Sequence, residues 1–212
     1  MNEKVVDWLT EKFGADLKRL PSCAIFAAIF GIILAWAKTE GEYKSALTSL
    51  LNMPLSNLLE EDSGLSSLIV ATYVSYLAGI LLCYFLLKLA AKVFFRYVLE
   101  LPTHQEMLKL MVVDHQNQNP IATLQSFQNL DAVRNEIEKR RLPVQQHIHA
   151  YNWLALLGLA LISQTNSADV LLGLTFIVCA LISLYRAIGI FIAKVIPWHA
   201  KAVALEGISL LK

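Results

Sequence analysis

Histidine is the residue of this sequence best suited to chemistry near neutral pH, because imidazole transfers protons and binds metal ions. Its five copies all lie outside the most apolar runs: His104, His115, His147, His149 and His199. The pair His147 and His149 could share a metal only in an extended segment, since side chains two positions apart diverge on a helix. No cysteine or carboxylate nearby completes a ligand set, so we predict no metal site.

The three cysteines give no sign of metal or redox chemistry. Cys23, Cys83 and Cys179 each lie inside an apolar run, far apart in the sequence and without a CxxC spacing. This placement is typical of small core residues. We predict neither a disulfide nor a zinc site, which fits a protein that faces a reducing cytoplasm.

Motifs that dictate a reaction do not occur in the sequence. It contains no glycine-rich phosphate loop, no HExxH, no Ser-His-Asp pattern and no paired-carboxylate arrangement. We therefore predict a protein without enzymatic activity or cofactor. The alternative is a lipid-handling enzyme with a few polar residues at the membrane surface, for which Asp114, His115 and His104 would be the first residues to mutate.

Composition indicates what kind of scaffold carries these residues. Of the 212 residues, 56% are hydrophobic and only 17% are charged, whereas soluble domains average about 25% charged residues. The mean hydropathy is +0.52, and the charges are segregated from long uncharged runs, as a bilayer requires. A net charge of +1 argues against a basic surface for nucleic acid.

Four apolar runs predict an all-α integral membrane protein with four transmembrane helices in two hairpins. The runs are Leu20 to Ala37, Ser63 to Leu87, Tyr151 to Thr165, and Val170 to Tyr185. The last two runs are separated only by the short polar link Gln164 to Asp169. The alternative for this pair is a single re-entrant or interfacial segment.

The distribution of lysine and arginine predicts the orientation. Sixteen of the eighteen lie in the N-terminal segment, the middle segment or the C-terminal segment. The loop between the first and second runs contains only two, Lys38 and Lys44. By the positive-inside rule, both termini and the middle segment face the cytoplasm. Short loops and the lack of paired cysteines favour a bacterial inner membrane. The competing interpretation, a signal peptide cleaved before Lys38, is disfavoured by the long, partly acidic segment ahead of the first run.

The runs divide the chain into five predicted segments, from an interfacial helix to a cytoplasmic tail. In order these are an amphipathic interfacial helix (1–21), a first transmembrane hairpin with an extended basic second helix (22–99), a cytoplasmic helical module (100–150), a second transmembrane hairpin (151–198) and the tail (199–212).

The N-terminal segment carries an apolar stripe at i+4 spacing, formed by Val5, Leu9, Phe13 and Leu17. Such a stripe predicts a helix lying on the inner leaflet. The alternative is a helix packed on the protein's own cytoplasmic part.

A basic stripe continues the second run beyond the membrane edge. Lys88, Lys92 and Arg96 recur at four-residue intervals, so one helix face can reach anionic lipid headgroups.

The middle segment predicts a helical hairpin. A capping signature at Pro102 to Glu106 opens a helix, Asp114 to Pro120 breaks it, and a second helix runs from Ile121 to Arg141 and ends before Pro143. The apolar face of the second helix consists of Leu124, Phe127, Leu130, Val133 and Ile137. About forty residues cannot bury a core alone, so we predict that a cytoplasmic protein partner docks on this face.

Two ridges of small residues run along the first two spans. They are Cys23, Ala27, Gly31 and Ala35 in the first span, and Ser67, Ala71, Ser75 and Gly79 in the second. Small residues at four-residue spacing let membrane helices approach closely. The ridges could pack on each other within one chain, or one could face outward as a homo-oligomer contact.

Together these patterns predict a non-enzymatic bacterial inner-membrane protein of immunity, exclusion or phage-defence type. We expect it to be oligomeric, embedded in the lipid bilayer, and to dock a cytoplasmic partner through the middle hairpin. The first alternative is a homo-oligomeric ion channel or pore-forming effector lined by hydroxyl side chains. The second is the lipid-handling enzyme already named.

Overall fold

The computed structural model describes residues 3–17, 22–40, 45–52, 70–106, 125–164 and 166–205. Within these residues every regular element is helical and there is no strand, which confirms the all-α fold. The helices are α1 (Glu3–Asp16), α2 (Ser22–Glu40), α3 (Ala46–Asn52), α4 (Val70–Glu100), α5 (Gln125–Ile162), α6 (Ser167–Ile190) and α7 (Ile196–Leu205), with a π-helical turn at Phe191–Val195 and a short helix at 102–106.

The chain forms two compact units, and neither is continuous in sequence. The terminal unit comprises Met1–Arg19, Leu89–Ile148 and Leu184–Lys212. The apolar unit comprises Leu20–Lys88 and His149–Ser183. Each unit is therefore assembled from segments that the sequence keeps far apart.

Two helical stretches are long and apolar enough to cross a membrane. They are Val74–Glu100 and Ser167–Ala202, and only 17% and 33% of their most apolar windows are buried. The core helix of a soluble protein would be mostly buried, so this exposed apolar surface favours contact with lipid. A third apolar helix, Ala24–Lys38, is shorter.

Helix α4 runs without interruption from Val70 to Glu100. This confirms that the second apolar run continues as a helix through Lys88. Its residues after Gly79 include neither glycine nor proline, so nothing in the local sequence would stop the helix.

The predicted break before Pro143 is wrong. Helix α5 passes through Pro143 and continues to Ile162. Proline removes one backbone hydrogen bond and costs about 3 kcal/mol inside a helix. Apolar side chains on both sides of it, Ile137 before and Val144 and Ile148 after, are buried in the terminal unit. Each buried side chain contributes about 1.5–3 kcal/mol, so tertiary packing outweighs the local preference.

Pro197 does not end the helical path either, because the chain remains helical to Leu205. Helix α6 passes first into the π-helical turn, where the backbone N–H of Ile196 donates to the carbonyl oxygen of Phe191. Phe191 and Val195 are fully buried in this turn. A π-turn inserts one extra residue into a helix, which turns these side chains into the core of the terminal unit.

The apolar stripe of α1 is buried inside the terminal unit. Leu9, Phe13 and Leu17 are all less than 3% exposed. The ring of Phe13 stacks on that of Phe95 at 4.2 Å and meets that of Phe191 edge-on at 5.3 Å. Of the two arrangements expected for this stripe, the structure therefore shows the helix packed on its own protein. The side chain of Val5 lies outside the described part.

The apolar unit is built on small side chains of α2. They pack in a cluster whose buried members are Ala24, Ala27, Ala28, Ile80, Tyr84 and Leu156. Three alanines on one helix let neighbouring helices approach closely, which favours van der Waals contact without large side chains.

Candidate functional site

Two glycines join α5 and α6 in the apolar unit. A methyl group built on Gly158 would lie 2.7 Å from the carbonyl oxygen of Gly173, and one built on Gly173 would lie 2.6 Å from that of Gly158. Both distances are far shorter than any van der Waals contact, so the two backbones touch at this point. Sequence reasoning missed the pair, although both glycines stand at similar distances from the polar link that separates the helices.

The described members of the two predicted ridges of small residues do not pack on each other. Ala27 and Gly31 are buried, and a methyl group built on Gly31 would lie 3.1 Å from the ring of Tyr76. Ser75 and Gly79 are exposed instead. The α2 ridge therefore packs against large side chains of α4, and the described part of the α4 ridge faces outward.

The remaining members of the two ridges add little to this arrangement. Ala35 is half-buried. Ser67 and the side chains of Cys23 and Ala71 lie outside the described residues.

An open groove runs beside the outward ridge. It has a volume of about 280 Å³. On α4 it is lined by Ser75, Tyr76, Gly79, Ile80 and Cys83. At the end of α5 it is lined by Leu159, Ala160 and Ser163. A methyl group built on Gly79 would meet nothing within 4 Å. The face thus combines small residues, an apolar floor and open space.

A polar network closes one end of the apolar unit. The carboxylate of Asp169, which is 1% exposed, accepts hydrogen bonds from Ser45 Oγ at 2.6 Å and from the backbone N–H of Ala46 at 2.8 Å. It thereby caps the first turn of α3. Lys38 Nζ donates to the carbonyl oxygen of Gln164, whose Nε2 donates to the Tyr76 hydroxyl at 3.2 Å. These hydrogen bonds hold α3 and the link between α5 and α6 in place.

The terminal unit buries an ion pair that the sequence did not reveal. Asp16 has a side chain only 1% exposed, and its Oδ1 lies 2.6 Å from Arg141 Nη2. Arg141 Nε donates to both carboxylate oxygens at 3.1 and 3.2 Å, and Gln145 Nε2 donates to Oδ1 at 3.1 Å. Such a bidentate pair fixes α1 against α5 in one orientation.

His199 lies in the same unit, beyond the predicted fourth span. Its side chain contacts the ring of Trp8 edge-on at 5.5 Å, and its Nε2 is buried without a hydrogen-bond partner in the described part of the chain. Burial lowers the pKa of His199 to about 4, with smaller contributions from the positive charges of Lys12 and Arg141. The imidazole is therefore neutral at physiological pH.

The predicted headgroup residues have partners within the chain. Lys88 Nζ lies 4.5 Å from the centre of the Tyr84 ring. Arg96 Nη1 lies 3.3 Å from Asp7 Oδ1, and Arg96 Nε lies 3.1 Å from Glu100 Oε1. The side chain of Lys92 is exposed but passes close to Gly14 on α1. The cations nearest the membrane edge thus contribute to the protein's own packing, and their role toward lipid stays a prediction.

The predicted docking face is largely covered by the protein itself. Leu130, Val133 and Ile137 are 9%, 3% and 5% exposed. Leu124 and the side chain of Phe127 lie outside the described residues. A partner that bound Leu130, Val133 and Ile137 would have to displace the chain's own helices, because this part of α5 is already packed into the terminal unit.

Another groove in the terminal unit brings together residues that the sequence separates by more than eighty positions. It has a volume of about 340 Å³ and is lined by His104, Tyr185, Arg186, Val98, Ile188, Gly189, Ile190 and Ile192. In the sequence, His104 stands out only as a candidate for mutation, and Arg186 counts only among the lysines and arginines of the C-terminal segment. Only the fold places them on one groove.

The described residues include no group of three or more histidine, cysteine, aspartate or glutamate side chains arranged to hold a metal ion. Fold and surface together define an all-helical protein with two helices that could cross a membrane and with an outward face of small residues. Neither a protein-family model, nor a curated protein, nor a solved structure matches the chain.

Proposed function

We propose that this chain is a non-enzymatic, four-span protein of the bacterial inner membrane that works as a homo-oligomer, with both termini in the cytoplasm. One observation carries the proposal. Ser75 and Gly79 of α4 are exposed beside an open apolar groove, whereas Ala27 and Gly31 of the α2 ridge are buried within the chain.

Exposed apolar side chains support the membrane part of the proposal. They occur along α2, α4 and α6, where water would be unfavourable. The largest of them include Ile25, Phe26, Leu82, Phe85, Leu171 and Val178. Lipid would cover these side chains, and the excess of lysine and arginine outside the loop after the first span orients the four spans.

Close helix packing supports the oligomer. In lipid, helices associate through van der Waals contact rather than through the hydrophobic effect, so a small-residue face is the surface on which a second helix gains most. The groove beside Gly79 offers space for the side chains of that helix. The same face of a second copy of this chain can fill the groove without any other protein, because a two-fold symmetric contact uses one surface twice.

A cytoplasmic protein partner and a role in immunity, exclusion or phage defence belong to the same proposal. The partner would contact surfaces other than Leu130, Val133 and Ile137, which the chain covers. The genes beside the coding sequence test this part, since proteins of these classes are encoded next to their partners.

Cysteine cross-linking in membranes tests the oligomer. We expect Ser75→Cys, in a chain whose Cys23, Cys83 and Cys179 are replaced by serine, to form a covalent dimer on mild oxidation. The matched control keeps Cys179, which is exposed on α6, as the only cysteine, and should remain monomeric. Equal cross-linking at both positions, or none at position 75, would contradict the proposed interface.

Ion flux separates this proposal from the channel alternative. Purified protein in liposomes should not conduct ions, because small-residue faces in close van der Waals contact leave no water-filled path between the copies. Steady conductance without any partner would favour the channel instead.

A further inference from the structure

The groove that contains His104 and Arg186 combines polar groups with apolar walls. Arg186 and Tyr185 lie on α6, and His104 lies on the short helix 102–106. The walls include Val98 and Ile192. We call it the Arg186 groove. Its residues come from three separate stretches of the terminal unit, so the groove exists only in the folded protein.

The charge of the Arg186 groove is positive. Arg186 is exposed, and no acidic side chain is among the described residues that line the groove. Its guanidinium can donate two parallel hydrogen bonds to a phosphate. An anion that entered this groove would therefore meet the guanidinium of Arg186, with no competing carboxylate among the described lining residues.

His104 adds a second reason to expect a ligand. Its Nδ1 is buried and has no hydrogen-bond partner in the described part of the chain. Buried polar atoms are almost always satisfied, so an unpaired one needs an explanation. A ligand oxygen bound in the groove would provide the missing partner.

A second groove in the same unit lacks this charge character. It has a volume of about 480 Å³ and is lined by Asp7 and Glu11 as well as by Lys92 and Arg96. Asp7 pairs with Arg96 at 3.3 Å, so its cations are balanced by carboxylates. Of the two grooves, the Arg186 groove is the one that suits an anion.

The walls of the Arg186 groove distinguish a lipid from a soluble phosphate. Ile188 and Ile192 are buried apolar side chains on its border, and Gly189 leaves its floor open, since a methyl group built there meets nothing within 4 Å. Free phosphate gains nothing from such walls, whereas the glycerol and first acyl carbons of a lipid do.

We propose that the Arg186 groove binds the phosphate group of an anionic phospholipid in the cytoplasmic leaflet. Arg186 and His104 donate hydrogen bonds to the phosphate oxygens, and the isoleucines contact the adjoining carbon atoms. The choice of leaflet rests on the proposed function, in which the fourth span ends at Tyr185 on the cytoplasmic side.

Lipid binding to the full-length protein in detergent tests the proposal. The protein is titrated with phosphatidylglycerol, and bound lipid is counted by native mass spectrometry. We expect Arg186→Gln to weaken binding about tenfold, because it removes a charge-assisted contact. The matched control is Lys194→Gln, which removes one positive charge from the neighbouring π-helical turn but does not line the groove. Equal weakening by both variants would overturn the proposal.

A second pair of variants separates loss of the groove from loss of the fold. Gly189→Leu should fill the groove without a clash and keep the unfolding temperature, yet lose phosphatidylglycerol. Cys179→Leu, at an exposed position of α6 that does not line the groove, should bind the lipid like the unchanged protein. Unaltered binding by Gly189→Leu would overturn the proposal.

Two further arms identify the ligand class. Phosphatidylcholine should bind several-fold more weakly than phosphatidylglycerol, since its own ammonium group offsets the phosphate charge. Inorganic phosphate at millimolar concentration should not displace the bound lipid. Equal binding of the two lipids, or displacement by phosphate, would contradict the assignment. Cross-linking at position 75 is read independently, so the oligomer and the lipid site can fail separately.

Discussion

The apolar unit uses glycine in two opposite ways. At Gly158 and Gly173 a single methyl group would lie 2.7 or 2.6 Å from a backbone oxygen, whereas at Gly79 it would meet nothing within 4 Å. The first two glycines let helices of one chain touch. The third leaves a face without a partner among the described residues. A small residue in an apolar helix therefore indicates close packing, but only its surroundings show whether the neighbour belongs to the same molecule.

The terminal unit shows the same contrast between closed and open sites. Asp16 and Arg141 form a buried pair with every carboxylate oxygen hydrogen-bonded, while Gly189 lies in an open groove. Closed sites should be costly to change, because the surroundings cannot adjust. Open sites should tolerate substitution and should lose binding instead of stability.

The largest expected effect is at Asp16. Asp16→Asn should lower the free energy of unfolding by about 3 kcal/mol, because it removes the buried partner of Arg141 and leaves that guanidinium only the exposed carboxylate of Glu138 at 3.3 Å. Denaturant unfolding of the protein in detergent measures this loss. The control is Asp7→Asn, which breaks an exposed pair with Arg96 and should cost less than about 1 kcal/mol. Similar losses in both variants would mean that Asp16 is not a closed site.

Acid should weaken the closed interior of the terminal unit through His199. Burial lowers the pKa of His199 in the folded protein to about 4. Between that pH and the ordinary histidine pKa of about 6.5, the unfolded chain binds a proton at His199 and the folded chain does not. Stability is therefore complete above about pH 6.5 and falls as the pH drops toward 4, by on the order of 3 kcal/mol.

Unfolding curves across this pH range measure the effect of His199. His199→Asn should flatten the dependence of the free energy of unfolding on pH between about 6.5 and 4. A slope that His199→Asn does not reduce would assign the acid sensitivity to other groups.

The glycine comparison can be tested directly with one methyl group. Gly173→Ala should destabilise the protein by about 1–3 kcal/mol, the usual cost of overpacking, because the new methyl would strike the backbone of Gly158 and the side chain of Ile162. Gly79→Ala should instead be neutral or stabilising by up to about 1 kcal/mol through helix propensity. Thermal unfolding of the two variants, measured side by side, shows whether position 173 is a closed site and position 79 an open one.

The smallest expected effect on stability accompanies the largest on assembly. Gly79→Leu should leave the unfolding of the single chain nearly unchanged, since its side chain enters open space. It should nevertheless abolish the cross-link at Ser75→Cys, because a bulky residue separates the two ridges. Undiminished cross-linking in the double variant would place the contact between copies elsewhere.

Several features of the fold followed from the sequence alone. The polar link after Ile162 was predicted to separate two helices, and α5 and α6 do end and begin there. The continuation of α4 through Lys88 followed from its unbroken apolar and basic pattern. These are local properties, decided by which residues stand next to one another along a few turns of helix.

Features that depend on distant residues were not predictable in the same way. Pro143 locally favours a helix end, yet burial of Val144 and Ile148 keeps the helix intact. The apolar face at Leu130 and Val133 looked available for a partner, yet the chain covers it. In each case the local pattern is present, but the side chains that pack against it come from elsewhere in the chain.

The sequence by itself determined that the chain is helical and strongly apolar, that α4 continues through Lys88, and that a polar link separates α5 from α6. Charge segregation and periodicity suffice for this, because each helix satisfies its own backbone hydrogen bonds. Only the tertiary structure decided that Asp16 meets Arg141 across 125 positions, that Gly158 meets Gly173 while Gly79 faces outward, and that Arg186 shares a groove with His104. These outcomes depend on how the chain returns on itself, and hydrophobic periodicity along one helix carries no information about which other helix will cover it.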